Sequence, residues 1–247
     1  MSGIRGGAAQ PLGGGSGGSQ VLPGLNSLSL TQGFEKFTHC MEDIPLFMSV
    51  NSSNAENSNI NPFEGDEHPG QWRMRILDNA TAYSNFQQAS NAGLYPIELG
   101  GGSWRYEILV NLAQLSTAAN EFILTAGFID ARNNDAINNG VYLEYDRTNS
   151  TNWIGVTESG GTRTEVDSGE AVATGTGNWT TLRFDINAAG TEVEFFINGT
   201  SVGTSSTNIP SAGLQYHFKV AKSASNTANT FFFIDYLYIR NQLTTTI

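Results

Sequence analysis

Two acidic side chains on one predicted strand are the residues most suited to chemistry. They are Glu144 and Asp146, within the segment VYLEYDR. Since alternate residues of a strand point to the same side, both carboxylates lie on one face. Retaining hydrolysis of a glycosidic bond needs two carboxyl groups close together. Several sandwich-fold glycosidases supply them from one strand, on which two glutamates flank an aspartate. The position of the second glutamate holds Asn149. The acid/base partner is therefore missing, and we expect a protein that is not an enzyme.

Aromatic and polar residues around the same strand suggest a different chemistry, the binding of sugars. An exposed aromatic ring can stack on a sugar ring while polar side chains bind its hydroxyl groups. Tyr145 alternates with Val141 and Leu143, which predicts that it faces the core. The candidate glycan site therefore consists of the neighbouring residues Tyr142, Asp146, Arg147, Asn152 and Trp153. The alternative is that Trp153, like Tyr145, is simply a core residue.

Metal and nucleophile chemistry have weaker support. Residues 130–135 (DARNND) carry oxygen ligands that suit Ca²⁺. Asp and Asn also favour turns for conformational reasons, so we interpret this segment as a polar hairpin loop. The histidines His39, His68 and His217 are too scattered for a metal cluster. Cys40, the single cysteine, is expected to be a small buried hydrophobic residue. We expect neither a metal nor another cofactor.

The elements that position these residues are predicted to be strands. Between residues 178 and 239, apolar residues alternate with polar ones over several short segments. A period of two is typical of half-buried strands and not of helices. Asn198 and Gly199 supply the two positive φ angles that a tight hairpin turn needs. Residues 231–239 are apolar on both faces apart from Asp235, which predicts a central strand.

The rest of the chain predicts the same architecture. Further strands are predicted at residues 72–76, 103–112, 121–129, 153–157 and 162–166. Residues 30–61 are interpreted as an edge strand or a short covering element, with the Asn/Ser cluster at 51–61 as a loop. Short strands joined by Gly and Asn turns predict an all-β, antiparallel two-sheet β-sandwich of the jelly-roll or lectin-like type. Roughly ten to fourteen strands fit this length.

Composition and charge exclude several classes of function. Charged residues make up 14% of the chain, and the formal net charge is −11. This balance argues against binding to a nucleic acid, which needs clustered Lys and Arg, and against docking on an anionic membrane surface. No apolar run is long enough to insert through a bilayer. With one cysteine and no apolar N-terminal signal, we expect synthesis in a reducing cytoplasm.

The N-terminal segment differs in composition from everything that follows. Residues 1–29 form a Gly/Ser-rich arm, and residues 30–247 are predicted to form the sandwich domain. Such a segment is a flexible coil when alone, but Gly allows backbone to approach backbone closely. We therefore expect the arm to lie extended in a groove between other subunits. Its candidate anchors are Ile4, Arg5, Leu12, Val21, Leu22 and Leu25.

Four segments of the chain resemble a known group of proteins. They are EHPGQWRMRI, NGVYLEYDRTNSTNWIGVTESGG, NWTTLRFDINAAGTEVEFFINGTSVGTSSTNIPS and FFFIDYLYI. In order and character they are similar to fibre-like or tail-associated bacteriophage virion proteins with a concanavalin A-like sandwich. The resemblance begins at about Phe34 and runs to the end of the chain, so it does not include the arm.

The resemblance implies a non-enzymatic structural component of a phage particle, assembled in the cytoplasm of the host bacterium. Its expected partners are other virion proteins, reached through the arm, and further copies of itself, with a trimer favoured. A tail-fibre or tail-associated position would make a host-surface glycan a further candidate partner. A capsid decoration protein and a lectin-like glycan-binding module are the alternatives, and a glycoside hydrolase is less favoured.

Overall fold

The computed structural model describes residues 34–39, 48–60, 71–88, 97–226 and 228–243. Within these residues the chain forms fifteen strands and no helix. The strands are β1 Phe34–His39, β2 Met48–Ser53, β3 Ala55–Ile60, β4 Gln71–Ile76, β5 Tyr83–Gln88, β6 Gly102–Leu112, β7 Asn120–Ile129, β8 Gly140–Asp146, β9 Asn152–Ser159, β10 Thr162–Ala171, β11 Trp179–Ile186, β12 Val193–Ile197, β13 Thr200–Ser205, β14 Gln215–Asn226 and β15 Thr230–Leu243.

The strands form two antiparallel sheets packed face to face. An eight-stranded sheet has the order β13-β12-β11-β6-β15-β4-β3, and β1 pairs with the second half of β15. A seven-stranded sheet has the order β10-β9-β8-β7-β14-β5-β2. The predicted antiparallel β-sandwich is therefore confirmed. β15 pairs with β6 along one side and with β4 and β1 along the other, which confirms its central place.

The core lies between the sheets and follows the alternation in the sequence. In β11, for example, Leu182, Phe184 and Ile186 are buried, whereas the residues between them are half-buried. Burying each such side chain contributes roughly 1.5–3 kcal/mol. Aromatic contacts join the sheets: the rings of Phe128 and Phe184 meet edge to face with centroids 5.2 Å apart.

Turn chemistry also follows the sequence. Asn198 and Gly199 have φ values of 51° and 78° and connect β12 to β13. Positive φ at both central positions matches the twist of the flanking strands. The predicted tight hairpin turn is therefore confirmed.

One predicted loop is wrong. The Asn/Ser cluster at 51–61 is mostly extended, because β2 and β3 occupy it and pair with β5 and β4. Only Asn54, with a φ of 50°, turns the chain from one sheet to the other. Both strands lie at sheet edges, as the edge-strand interpretation of this region predicts. One side of an edge strand makes no ladder hydrogen bonds, and such strands tolerate polar residues well.

Some predictions concern residues outside the described ranges. These are the arm anchors Ile4, Arg5, Leu12, Val21, Leu22 and Leu25, together with Cys40 and His68. The division into an arm at 1–29 and a domain at 30–247 therefore stays a prediction. In the part of the chain that the structure does describe, there is no helix long and apolar enough to cross a membrane.

Candidate functional site

The outer face of the seven-stranded sheet carries two rows of aligned residues. Strand register places each row across β8, β7, β14 and β5, in that order. The first row is Glu144, Thr125, Lys219 and Asn85, and the second is Tyr142, Gly127, His217 and Gln87. Neighbours in a row are direct cross-strand partners, about 4.5–5.5 Å apart. Polar groups far apart in the sequence are thereby brought together.

Alternation decides which face these residues occupy. Val141, Leu143 and Tyr145 of β8 belong to the main core cluster. Tyr142 and Glu144 therefore point to the opposite side of the sheet. Tyr142 belongs there to a small second cluster, made with Ile129, Ala131, Ile154 and Val156, against which Ile137 packs.

The loop at 130–139, between β7 and β8, covers part of this outer face. Side chains of the sheet hold its backbone. Asn85 Nδ2 donates to the Asn133 carbonyl at 3.0 Å, and the Asn133 N–H donates to Gln87 Oε1 at 3.0 Å. Gln215 Nε2 donates to the Ala131 carbonyl at 2.9 Å. The loop position is thus set by side chains of β5 and β14.

The carboxylate of Asp130 is used within this loop. Its Oδ1 accepts from the Asn138 N–H at 3.1 Å, and its Oδ2 accepts from Asn139 Nδ2 at 2.8 Å. These contacts fit the interpretation of the segment as a polar hairpin loop. Among the described residues, no group of three or more His, Cys, Asp or Glu side chains could hold a metal ion.

A groove of about 290 Å³ opens between this loop and the first row. Its floor includes Thr125, Glu144 and Lys219, all of which are buried. Residues 134–137 of the loop form one wall, and Arg163 and Glu158 also line the groove. The volume is close to the lower end, near 300 Å³, of the range for small-ligand pockets. A floor of buried polar side chains is the feature that makes this groove a candidate site.

The charges of the groove are arranged around Arg163. Its Nη2 lies 2.6 Å from Glu144 Oε1 and 2.9 Å from Glu165 Oε1. Burial raises the pKa of Glu144, while the hydrogen bond from Arg163 acts in the opposite direction. Beside this pair, Tyr142 Oη donates to Glu158 Oε2 at 2.6 Å. Glu144 is therefore held by Arg163, whereas Glu158 is held by Tyr142.

His217 lies in the second row and is fully buried. Within the described part of the chain, neither of its ring nitrogens has a hydrogen-bond partner. Burial, which is the larger cause, and the positive charge of Lys219 together lower the pKa of His217 to about 3. The imidazole is therefore neutral at pH 7.

A second cavity, of about 230 Å³, lies against the other sheet, and Asp185 is among its lining residues. The Asp185 carboxylate accepts hydrogen bonds from Arg105 at 2.7 and 2.8 Å and also binds Arg183. Its charge is thus matched within the protein, and the groove beside the β7–β8 loop is the better candidate.

A family model described as SO2946-like, C-terminal domain, matches residues 67–236, which is more than half of the chain. The chain belongs to this family. No curated protein shows significant sequence similarity to it.

Several solved structures have a similar fold. The SO2946 protein of unknown function from Shewanella oneidensis MR-1 is 15% identical, with a TM-score of 0.60 over 88% of this chain and 90% of that one. The carbohydrate recognition domain of Emp47p is 12% identical, with a TM-score of 0.54 over 87% and 96%. The binding domain of botulinum neurotoxin serotype C1 is 12% identical, with a TM-score of 0.50 over 78% and 44%. At these identities the likeness concerns the fold.

In this SO2946-like domain the predicted glycan residues are not gathered into one site. Trp153 is buried in the core, with its ring centroid 6.0 Å from that of Tyr145. The expectation of a surface Trp153 is therefore wrong, and the alternative core assignment is correct. Tyr142 lies on the opposite face of the sheet, buried beneath the β7–β8 loop, and it lines the groove.

The three polar members of the predicted site lie near the end of β8 and the start of β9. Asp146 Oδ1 accepts from the N–H and the hydroxyl of Thr148, so Asp146 shapes the turn after β8. Arg147 Nη2 lies 3.8 Å from Glu121 Oε2. Asn152 Nδ2 donates to Asp167 Oδ1 at 2.9 Å. None of these three lines the groove. Their role in glycan binding stays a prediction.

Several groove residues of the SO2946-like domain were not predicted from the sequence, namely Thr125, Glu158, Arg163 and Lys219. Alternation predicts only that they face away from the core. One signal for a covered outer face was present in β9, where Ile154 and Val156 are apolar although they point away from the core.

Proposed function

We propose that this domain binds carbohydrate through the groove beside the β7–β8 loop and that it does so without catalysis. The observation that carries the proposal is the groove floor, where the buried polar side chains of Thr125, Glu144 and Lys219 meet an open cavity. The fold shared with the Emp47p carbohydrate recognition domain supports it at the level of architecture.

The chemistry of the groove suits sugar hydroxyl groups, which both donate and accept hydrogen bonds. Thr125 offers a hydroxyl, Glu144 a carboxylate that accepts, and Lys219 an ammonium group that donates. Asn134 adds an amide from the loop wall. A sugar unit in the groove would thus meet donors and acceptors from both the floor and the wall.

The same contacts argue against hydrolysis. Glu144 is bound by Arg163, and Asp146 holds the turn that follows β8. Asn149, at the place of a second glutamate, donates its amide to Glu165 Oε2 at 3.0 Å. Glu144, Asp146 and Asn149 are thus each engaged in contacts within the protein, which does not favour an acid/base pair at this place.

We further propose that the domain is part of a bacteriophage particle. The support is the sequence resemblance to fibre-like and tail-associated virion proteins. In this proposal the arm at 1–29 anchors the domain to other virion proteins, and copies assemble as a homotrimer. A trimer would present several grooves to one host surface, and such multivalency strengthens weak individual binding. A capsid decoration protein is the alternative position.

Glycan binding is tested with purified protein on an immobilised panel of neutral and acidic bacterial-surface oligosaccharides. Thr125→Val removes one hydroxyl from the groove floor at nearly constant volume, and we expect it to weaken binding roughly tenfold. The matched control is Thr200→Val on exposed β13, which we expect to leave binding unchanged. Binding that is absent, or equal in both variants, would contradict the proposal.

The virion position is tested separately by immunogold labelling of intact phage particles with antibody against the domain. Label on the tail or its fibres supports the tail assignment, and label over the shell supports the capsid alternative. Particles that carry no label would rule out a virion role.

A further inference from the structure

Lys219 holds an unusual place in the groove floor. In the first row it lies between Thr125 and Asn85, and its residue surface is 8% exposed. Lysine is almost never this buried unless its charge is paired. Its ammonium group has three protons to donate, so its surroundings should supply close acceptors.

In the described part of the chain, close acceptors of this kind are not in place. The hydrogen bond of Lys219 Nζ within the described residues is to the Asp135 carbonyl, at 3.4 Å. A charge-assisted N–H···O bond is typically about 2.7–2.9 Å long. The ammonium group is therefore held by one long contact to a neutral oxygen.

The nearby carboxylates do not neutralise this charge by contact. Glu144 is two strands away in the same row and is bound by Arg163 at 2.6 Å. Asp135 lies on the exposed loop and contributes its backbone carbonyl. Both carboxylates raise the pKa of Lys219, yet burial outweighs them and lowers it overall. Among the residues that the structure describes, the Lys219 ammonium group thus has no close acidic partner.

We propose that the groove takes an acidic sugar, whose carboxylate binds the Lys219 ammonium group. A singly charged carboxylate fits better than a doubly charged phosphate, because Glu144 and Glu158 also line the groove and would repel the extra charge. Uronic acids and sialic acids share this chemistry. The inference rests on the proposed glycan binding and specifies the class of sugar.

The test uses oligosaccharides of glucuronic, galacturonic and N-acetylneuraminic acid, each paired with its carboxyl-reduced form. Titration calorimetry measures the affinity of the intact protein for both members of each pair. We expect at least one acidic form to bind ten times or more tightly than its reduced form, and this preference to weaken with added salt.

Two variants assign the preference to Lys219. Lys219→Met keeps the length of the side chain and removes the charge, so it should bring the two affinities within about threefold of each other. Lys219→Arg keeps the charge and should retain a preference. Thermal unfolding checks that both variants are folded, and Thr200→Val is the matched surface control.

The outcomes separate the two levels of the proposal. If no sugar binds, charged or neutral, the proposed glycan function fails and this inference fails with it. If acidic and reduced forms bind equally, or if Lys219→Met keeps the preference, the inference is overturned while glycan binding stands. A preference that Lys219→Met removes and Lys219→Arg retains supports it.

Discussion

Buried His217 should make the stability of the protein depend on pH in a specific window. Its pKa is lowered to about 3 in the folded state, whereas an unperturbed histidine titrates near 6.5. Between these two values the unfolded chain binds a proton that the folded protein does not. The contribution of His217 to the free energy of unfolding is therefore fully present above about pH 6.5 and is lost as the pH falls toward 3.

The size of the effect follows from the pKa difference. Each pKa unit corresponds to about 1.4 kcal/mol, so at about pH 4.5 His217 should lower the free energy of unfolding by roughly 3 kcal/mol relative to neutral pH. Burial is complete, so solvent screening does not reduce this value substantially. Carboxylate protonation adds its own acid destabilisation, and the effect of His217 must be isolated by comparison.

The assay is urea unfolding of wild type and His217→Gln at a series of pH values from 7.5 to 4.5. Glutamine does not titrate, and His39 and His68 are present in both proteins. The difference in unfolding free energy between the two proteins should change by roughly 3 kcal/mol across the series. In a Lys219→Met background the change should be smaller, because Lys219 helps to lower the pKa of His217. Parallel curves for wild type and His217→Gln would refute the reasoning.

Three further predictions concern the core, the groove and the arm. Trp153→Ala should cost about 3–5 kcal/mol in urea unfolding because it opens a cavity between the sheets, and a cost below about 1 kcal/mol would contradict its core placement. Arg163→Met should lower the free energy of unfolding by about 2–4 kcal/mol because it leaves buried Glu144 unpaired. Adding Glu144→Gln should recover much of this stability, and additive effects of the two substitutions would argue against coupling between the residues. Deleting residues 1–29 should leave the circular dichroism of the body unchanged but prevent incorporation into phage particles, and normal incorporation would exclude the anchoring role.

The strands could be predicted from the sequence because one face of each is in the core. In β11 and β12 the alternation is strict, and the predicted inward residues, such as Phe184 and Phe195, are all buried. The described residues form fifteen strands, more than the roughly ten to fourteen predicted, because polar β2 and β3 carry no such alternation. Their strand character comes from pairing with neighbours, which is a property of the fold.

The groove could not be predicted in the same way. Alternation correctly places Glu144 and Lys219 on the outer face, but a period of two does not distinguish an outer face in water from one beneath a loop. That cover depends on contacts such as the bond from Gln215 to Ala131, which joins residues distant in the sequence.

The placement of Trp153 has a related cause. β9 is apolar on both faces near Trp153 and Ile154, so its pattern does not decide which side meets the core. Gly155 lies on the same side of β9 as Trp153, and an added Cβ there would lie 2.6 Å from the Phe195 ring, so this side packs closely against the other sheet.

The hydrogen bonds that hold the β7–β8 loop on the sheet have a consequence for how this protein can evolve. Side chains of the sheet form hydrogen bonds with main-chain atoms of the loop. These atoms are the Ala131, Asn133 and Asp135 carbonyls and the Asn133 N–H. Every amino acid supplies the same carbonyl groups, so intervening exposed positions such as Arg132, Asn134 and Ala136 can mutate without releasing the loop. Two of these, Asn134 and Ala136, line the groove. The lining of the groove can therefore change by point mutation while the loop keeps its position on the sheet.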